Sequence, residues 1–158
     1  MCVLHRRRAT HADSEKQNYP RRHAPLLALN LRARFAILSA MYSAAVLDHF
    51  KNPRNAGDLP DATAAVDVTN PVCGDMLRLA VRVEDGKISA VRFKAQGCVT
   101  ALASASALTE LVAGKSLNDA WGVTAAQISD ALGGLPPATF HGAQLASDAL
   151  VALFAKLS

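Results

Sequence analysis

The amino-acid sequence predicts an α+β domain in which helices pack on one face of a small antiparallel sheet of about three strands. Two observations carry this prediction. Alternating apolar and polar residues, typical of strands, lie within residues 64–94, and helical periodicity follows from residue 98 onwards. The 158 residues are 51% hydrophobic and 19% charged, which suits one globular domain with at most a short appendage.

A helix is expected before the sheet. Ser43 can cap a helix over residues 44–50, in which Val46, Leu47 and Phe50 share an apolar face through their i, i+3, i+4 spacing. The segment 52–57 contains proline and glycine, so the helix is expected to end there.

Three strands are expected next, over residues 64–68, 76–83 and 88–94. The second strand places four apolar residues on one face: Leu77, Leu79, Val81 and Val83. Asp85 and Gly86 form a strong turn signal between the second and third strands. These two strands are therefore expected to pair as an antiparallel hairpin.

Helices make up the rest of the chain. They are predicted over residues 98–114, 117–121, 125–132 and 141–157. Gly114 suits the end of the first of these helices, and Thr124 can cap the third. Pro136 and Pro137 enforce extended backbone before the last helix.

The charge divides the chain into a basic head, residues 1–40, and a body, residues 41–158. The formal net charge is +4, but the head holds eight Lys or Arg and two acidic residues, which leaves nine basic and eleven acidic residues in the body. We interpret the head as disordered or leader-like, and most simply as translated from a start codon upstream of the true one, at Met41. The alternatives are an organellar transit peptide and, less suitably, a signal peptide.

Composition also argues against several classes of protein. No apolar run reaches the roughly 18 residues that a membrane-spanning helix needs, so no membrane role is expected. Three cysteines cannot form a dense disulfide framework. Nucleic-acid binding is not expected either, because the body lacks a basic patch with interleaved aromatic residues and only 5% of the chain is aromatic.

Four residues at the ends of predicted elements could carry chemistry: Cys73, Asp75, Cys98 and His141. In extended backbone the side chain of Asp75 projects to the same side as that of Cys73. Cys98 lies at a strand-to-helix junction, where a helix N-terminus stabilises a thiolate. Thiolates, imidazole and carboxylate are the ligand set for Zn²⁺ or for iron held with sulfide.

Each candidate also has an ordinary structural interpretation. Cys98 could be a small buried hydrophobe, Asp75 could cap a turn, and His141 could cap or complete a helix start. His49 is expected to be structural, and Cys2 has no expected role. The 25 residues between Cys73 and Cys98 do not match common zinc modules, so the spacing alone is not specific.

Several ordered motifs in residues 42–157 resemble the IscU/NifU N-terminal family of iron–sulfur cluster assembly scaffolds. The motifs are Tyr42-Ser43, residues 48–55 with the Asn-Pro-Arg-Asn signature and Gly57, the cysteine loops 70–75 and 92–98, Ser104 and Ser106, and the helix exit 109–116. The resemblance implies a three-stranded antiparallel sheet covered by helices, as the periodicity predicts independently.

The resemblance also implies a function and a site. A cysteine desulfurase would supply persulfide sulfur, iron would arrive, and a labile [2Fe–2S] cluster would be built and passed to recipient apo iron–sulfur proteins. Cys73 and Cys98 would be ligands and candidate persulfide acceptors. Asp75 would be the carboxylate that keeps the cluster labile, and His141 would complete the coordination or exchange in it. Such a protein is not an enzyme, and free thiolates indicate a reducing, cytoplasmic compartment, or an organellar matrix if the head is a leader.

The sequence departs from the family pattern at two places. The family's third cysteine directly follows the histidine, but here Gly142 follows His141. The chaperone-recognition segment Leu-Pro-Pro-Val-Lys is replaced by residues 135–139, with Thr139 at the lysine position, so an Hsp70-type chaperone is a doubtful partner. Two alternatives follow: a zinc-binding, SufU-like sulfur acceptor for the desulfurase, or a metal-free module that only binds the desulfurase.

Overall fold

The computed structural model describes residues 36, 37 and 39–158, so the predictions for the basic head fall almost entirely outside the described residues. The named elements run in the order α1 (Ala44–Lys51), β1 (Ala64–Thr69), β2 (Met76–Glu84), β3 (Lys87–Gln96), α2 (Val99–Val112), α3 (Leu117–Trp121), α4 (Ala125–Ala131), a 3₁₀ turn (Pro137–Thr139) and α5 (His141–Leu157). The predicted α+β class and the order of its elements are confirmed.

The sheet has three antiparallel strands in the order β1-β2-β3. The β2–β3 hairpin turns at Asp85 and Gly86, which both have positive φ as such a turn requires. The register changes between Arg82 and Val83, where a bulge or irregularity interrupts the ladder. At the end of the hairpin opposite the turn, Met76 pairs with Gln96.

The core lies between the sheet and the helices. Leu77, Leu79 and Val81 of β2 are buried, as their alternation predicts, while Val83 is only partly buried. Helix α2 contacts α1, β3 and α5, and α5 also contacts β1 and β2. Most of α2 is buried and consists of small residues, which allows its neighbours to approach closely. Cys98 caps this helix instead of forming its first turn as predicted.

The Asn-Pro-Arg-Asn segment covers the outer edge of β3. The Phe93 N–H donates to the Asn55 carbonyl at 3.0 Å, and the Gly57 N–H donates to the Phe93 carbonyl at 2.8 Å. Asn55 also donates from its side chain to Thr109 Oγ1 of α2 at 3.1 Å. The segment therefore pairs with backbone N–H and C=O groups of an edge strand that would otherwise be exposed. It also joins that edge of the sheet to α2.

None of the helices in the described part of the chain has the length and hydropathy needed to cross a bilayer. On the solvent face of the sheet, three cations each lie beside a carboxylate: Arg78 with Asp67, Arg82 with Asp61 and Lys94 with Asp58. These three positive charges are therefore locally compensated.

Candidate metal centre

The hairpin register explains how Cys73 and Cys98 come to the same place. Met76 and Gln96 are paired at the end of the ladder, so the residues just before β2 and just after β3 leave the sheet together. Cys73 precedes β2 by three residues, and Cys98 follows β3 by two. The 25-residue spacing therefore reflects the length of a β-hairpin. The sequence pattern predicts the hairpin, but the proximity of the two cysteines depends on the register of its strands.

The first cysteine lies on a compact loop. The Asn70 N–H donates to the Asp75 carbonyl at 2.8 Å, and the Gly74 N–H donates to the Asn70 carbonyl at 2.9 Å. Gly74 has a φ of 74°, a conformation that favours glycine. The loop presents Cys73 as an exposed free thiol. A sulfur atom placed in this way is accessible to a partner protein.

Asp75 is buried although its side chain is ionisable. Only 6% of the residue is exposed, and its Oδ2 atom has no hydrogen-bond partner among the described residues. Burying a carboxylate oxygen without a partner costs free energy, since the oxygen loses its hydrogen bonds to water and forms none with the protein. The turn-capping interpretation does not account for this oxygen, whereas a metal ion would satisfy it.

Cys98 is the N-cap of α2. Its Sγ accepts a hydrogen bond from the Ala101 N–H at 3.4 Å and lies 3.2 Å from Thr100 Oγ1. The sulfur is partly buried. The N–H groups at the helix start place partial positive charge next to the Cys98 sulfur.

His141 is the first residue of α5. The N-cap is Phe140 and no side-chain hydrogen bond caps the helix, so His141 completes the helix start without capping it. The Nδ1 atom lies 3.2 Å from the Ala138 carbonyl, which can only accept, so Nδ1 carries the proton in this contact. Nε2 is then free to act as a ligand, as in metal sites where a carbonyl orients the imidazole. It lies 3.6 Å from Cys98 Sγ and 4.0 Å from Asp75 Oδ2.

These side chains form one group. One ligand atom from each of Cys73, Asp75 and His141 lies within 4.8 Å of the others. Cys98 is not a member of that group but contacts His141. The four predicted site residues are thus neighbours in the structure, and sulfur, oxygen and nitrogen donors in this arrangement fit Zn²⁺ or iron.

Gly142 lies in a tightly packed position. A Cβ atom there would lie 2.7 Å from the Thr100 carbonyl carbon and 2.9 Å from the Ala101 nitrogen, both in the backbone of α2. The first turns of α2 and α5 are therefore in direct backbone contact. The absence of a third cysteine coincides with the absence of space for its side chain.

His49 belongs to a separate network. It is 7% exposed, and its Nδ1 lies 2.9 Å from Ser106 Oγ. The same Ser106 Oγ accepts a hydrogen bond from the Arg54 N–H at 2.8 Å. His49 Nε2 lies 3.5 Å from Glu110 Oε2. Burial, followed by the nearby Arg54 guanidinium, lowers the pKa of His49. These contacts fit the structural role predicted for this histidine.

Comparison with known proteins identifies the family. A family model described as the NifU-like N terminal domain matches residues 41–157, so the chain belongs to that family. The iron-sulfur cluster assembly scaffold protein IscU 1 of Archaeoglobus fulgidus is 44% identical over 110 residues, which cover 70% of this chain and 72% of that protein. The corresponding IscU protein of Escherichia coli is 42% identical over 118 residues, covering 72% of this chain and 91% of that protein.

Solved structures support the fold. A putative iron-sulfur cluster assembly scaffold protein for the SUF system from Fervidobacterium islandicum superimposes with a TM-score of 0.62 at 22% identity, over 73% of this chain and 97% of that chain. A NifU-like protein (N-terminal) from Brucella abortus gives a TM-score of 0.60 at 18% identity, over 77% and 96% of the two chains. At these identities the likeness concerns the fold alone.

Proposed function

We propose that this protein is a scaffold or carrier for iron–sulfur cluster assembly, which accepts sulfur and iron at the site formed by Cys73, Asp75, Cys98 and His141. The observation that carries the proposal is the convergence of thiol, carboxylate and imidazole atoms within 4.8 Å in a chain of the NifU-like N-terminal family. Its relatives named as IscU scaffolds support the same function. The cargo would be a labile [2Fe–2S] cluster.

The two cysteines suit different tasks. Cys73 is exposed on its loop, so it is the better first acceptor of sulfur from the persulfide of a cysteine desulfurase. In that step the Cys73 thiolate attacks the terminal persulfide sulfur, a new S–S bond forms on Cys73, and the desulfurase cysteine leaves as a thiolate. Cys98 is partly buried and hydrogen-bonded, which suits a fixed ligand.

Asp75 and His141 would complete the coordination. A carboxylate is a harder ligand than a thiolate and is less suited to iron held with sulfide. With a glycine at 142, the site offers two thiolates, one carboxylate and one imidazole, so the cluster should be easily lost to a recipient apo protein. The persulfide chemistry belongs to the desulfurase, and this chain would act as acceptor and carrier without catalysing a reaction of its own.

The remaining partners and the compartment follow from the same proposal. An Hsp70-type chaperone is a doubtful partner, because Thr139 replaces the lysine of the expected recognition segment. The free thiols suit a reducing compartment, which we propose to be the cytoplasm. An organellar matrix would replace it if residues 1–40 act as a leader.

The test is anaerobic isolation followed by reconstitution with iron, sulfide and a reductant. The wild-type protein should bind iron and acid-labile sulfide and show sulfur-to-iron charge-transfer absorption. Cys73→Ser should lose most of this absorption, because the site loses a thiolate. The matched control is Cys2→Ser, which removes the cysteine outside the family match and should behave as wild type. Failure of the wild-type protein to bind iron with sulfide would overturn the proposal.

A zinc-holding sulfur acceptor is the second candidate. The close group of one sulfur, one oxygen and one nitrogen atom, with Cys98 next to it, would suit a single tetrahedral Zn²⁺ ion. Stoichiometric zinc without acid-labile sulfide, together with stimulation of a desulfurase, would favour this function. A metal-free protein that still binds a desulfurase would instead indicate the interaction module.

A further inference from the structure

The glycine before Cys98 is in close contact with the carboxylate of the proposed site. A Cβ atom built on Gly97 would lie 2.5 Å from Asp75 Cγ, 2.6 Å from Asp75 Oδ1 and 2.8 Å from Asp75 Cβ. All three distances are shorter than any ordinary contact between nonbonded carbon or oxygen atoms. The side chain of Asp75 therefore fills the space that a side chain at residue 97 would need.

The hairpin register explains this contact. Because Met76 pairs with Gln96, Asp75 and Gly97 are the next residues to face each other as the hairpin opens. Residues facing each other across antiparallel strands normally have side chains side by side on one face. With glycine on one strand, the carboxylate can lie across the opposite backbone.

When the Asp75 carboxylate lies next to Gly97, it is also close to the other residues of the proposed metal site. Its Oδ2 is buried without a hydrogen-bond partner among the described residues and lies 4.0 Å from His141 Nε2. Gly97 does not have a positive φ, so backbone conformation does not demand a glycine here. The requirement comes from the space that the carboxylate occupies.

We propose that Gly97 is a positioning residue of the metal centre, whose missing side chain lets the Asp75 carboxylate lie across the hairpin within reach of Cys73 and His141. This inference rests on the proposed function. A methyl group at residue 97 would displace the carboxylate, and the site would lose its oxygen ligand while both thiols and the imidazole remain.

The experiment is a double-mutant cycle on the full chain, with Zn²⁺ and Co²⁺ as probes. Gly97→Ala should weaken Zn²⁺ binding about 10- to 100-fold, the range typical for loss of a group that orients a metal ligand. The Co²⁺ d–d bands should change in the same way as in Asp75→Gly. In the Asp75→Gly background, which removes the three atoms nearest to the new Cβ, Gly97→Ala should change Zn²⁺ affinity less than about twofold, since the two effects are coupled through one contact.

Gly122→Ala is the matched control. Gly122 also has a negative φ, and a Cβ there would meet only the Asp119 carbonyl oxygen, at an ordinary 3.8 Å. This variant should bind Zn²⁺ as wild type does. If Gly97→Ala does not fold, recovery of a cooperative thermal transition in the Asp75→Gly, Gly97→Ala double variant would support the contact, and no recovery would overturn the inference.

The outcomes separate the two proposals. Wild-type Zn²⁺ affinity and Co²⁺ spectrum in Gly97→Ala would overturn the inference and leave the proposed function intact. The same would follow from an affinity loss that persists fully in the Asp75→Gly background, because the loss would then not act through Asp75. A wild-type protein that binds neither Zn²⁺ nor Co²⁺ nor iron would overturn the proposed function, and the inference with it.

Discussion

At the residue scale, Gly142 stands where the resemblance to known scaffolds leads one to expect a third cysteine. A simple loss of a ligand would leave a gap that a new cysteine could fill. The structure has no such gap, because the backbone of Thr100 and Ala101 lies within 3 Å of where a Cβ would be. The same packing of the two helix starts holds His141 Nε2 3.6 Å from Cys98 Sγ.

Gly142→Cys is therefore expected to destabilise the protein instead of adding a useful ligand. Overpacking against backbone costs about 1–3 kcal/mol, which exceeds the gain of up to about 1 kcal/mol from replacing glycine in a helix. Urea unfolding of the metal-free protein measures the change, with Gly142→Ala separating the effect of the Cβ from that of the thiol. Unchanged stability together with a longer-lived cluster in Gly142→Cys would show that the position can accept a third ligand.

At the element scale, Arg54, Asn55 and His49 join α1 and the segment that follows it to α2. Ser106 Oγ accepts from the Arg54 N–H, so its own proton is available to His49 Nδ1. In this arrangement His49 is neutral, with its single ring N–H at Nε2, which faces Glu110. The Asn-Pro-Arg-Asn segment is thus held by α2 on one side and by the edge of β3 on the other.

The lowered pKa of His49 predicts a loss of stability in acid. Burial disfavours the charged imidazole, and Arg54 adds to this, against the opposing effects of Glu110 and Asp48. Below the ordinary histidine pKa of about 6.5 the unfolded chain binds a proton that the folded chain resists, so the free energy of unfolding decreases as pH falls from about 6.5 towards the lowered value. Above about pH 6.5 His49 is neutral in both the folded and the unfolded chain, so this loss of stability does not occur.

Urea unfolding of the metal-free protein at pH 7.5 and at pH 5.5 tests this expectation. His49→Asn, which keeps an acceptor near the position of Nδ1 but does not titrate, should lose less stability between the two values than wild type. His23→Asn, outside the family match, serves as the control and should lose as much as wild type. An equal loss in all three proteins would show that His49 does not contribute.

At the scale of the whole molecule, the excess of positive charge belongs to residues 1–40, while the candidate site and the core formed by the described residues lie in residues 41–158. The buried core contains residues from Val46 to Phe154. The family match covers 41–157. The body therefore holds the elements that a folded domain of this family needs.

A fragment of residues 41–158 is expected to fold and to bind Zn²⁺ with the same stoichiometry and affinity as the full chain. Its isoelectric point should also fall, because the fragment has two more acidic than basic residues. Thermal unfolding, metal analysis and isoelectric focusing check these expectations. A fragment that fails to unfold cooperatively, or that loses Zn²⁺ binding, would show that the head contributes to the domain.

Sequence periodicity predicted the class of fold and the order of the named elements, because alternation and helical spacing are local properties that burial of one face imposes on each segment. Element ends were less well determined: α2 begins at Val99, and Cys98 became its cap. The types of ligand were also readable from the sequence, since few residues at element ends offered a thiol, a carboxylate or an imidazole.

The tertiary structure alone decided how these groups meet. The hairpin register faces Asp75 with Gly97, and the backbone contact between α2 and α5 holds His141 beside Cys98 and leaves Gly142 without space for a side chain. Neither of these two contacts can be predicted from local sequence. Each depends on how elements that are distant in the chain are aligned and how closely they pack. Sequence thus determined which candidate ligand groups this protein carries, and packing determined that three of them converge within 4.8 Å.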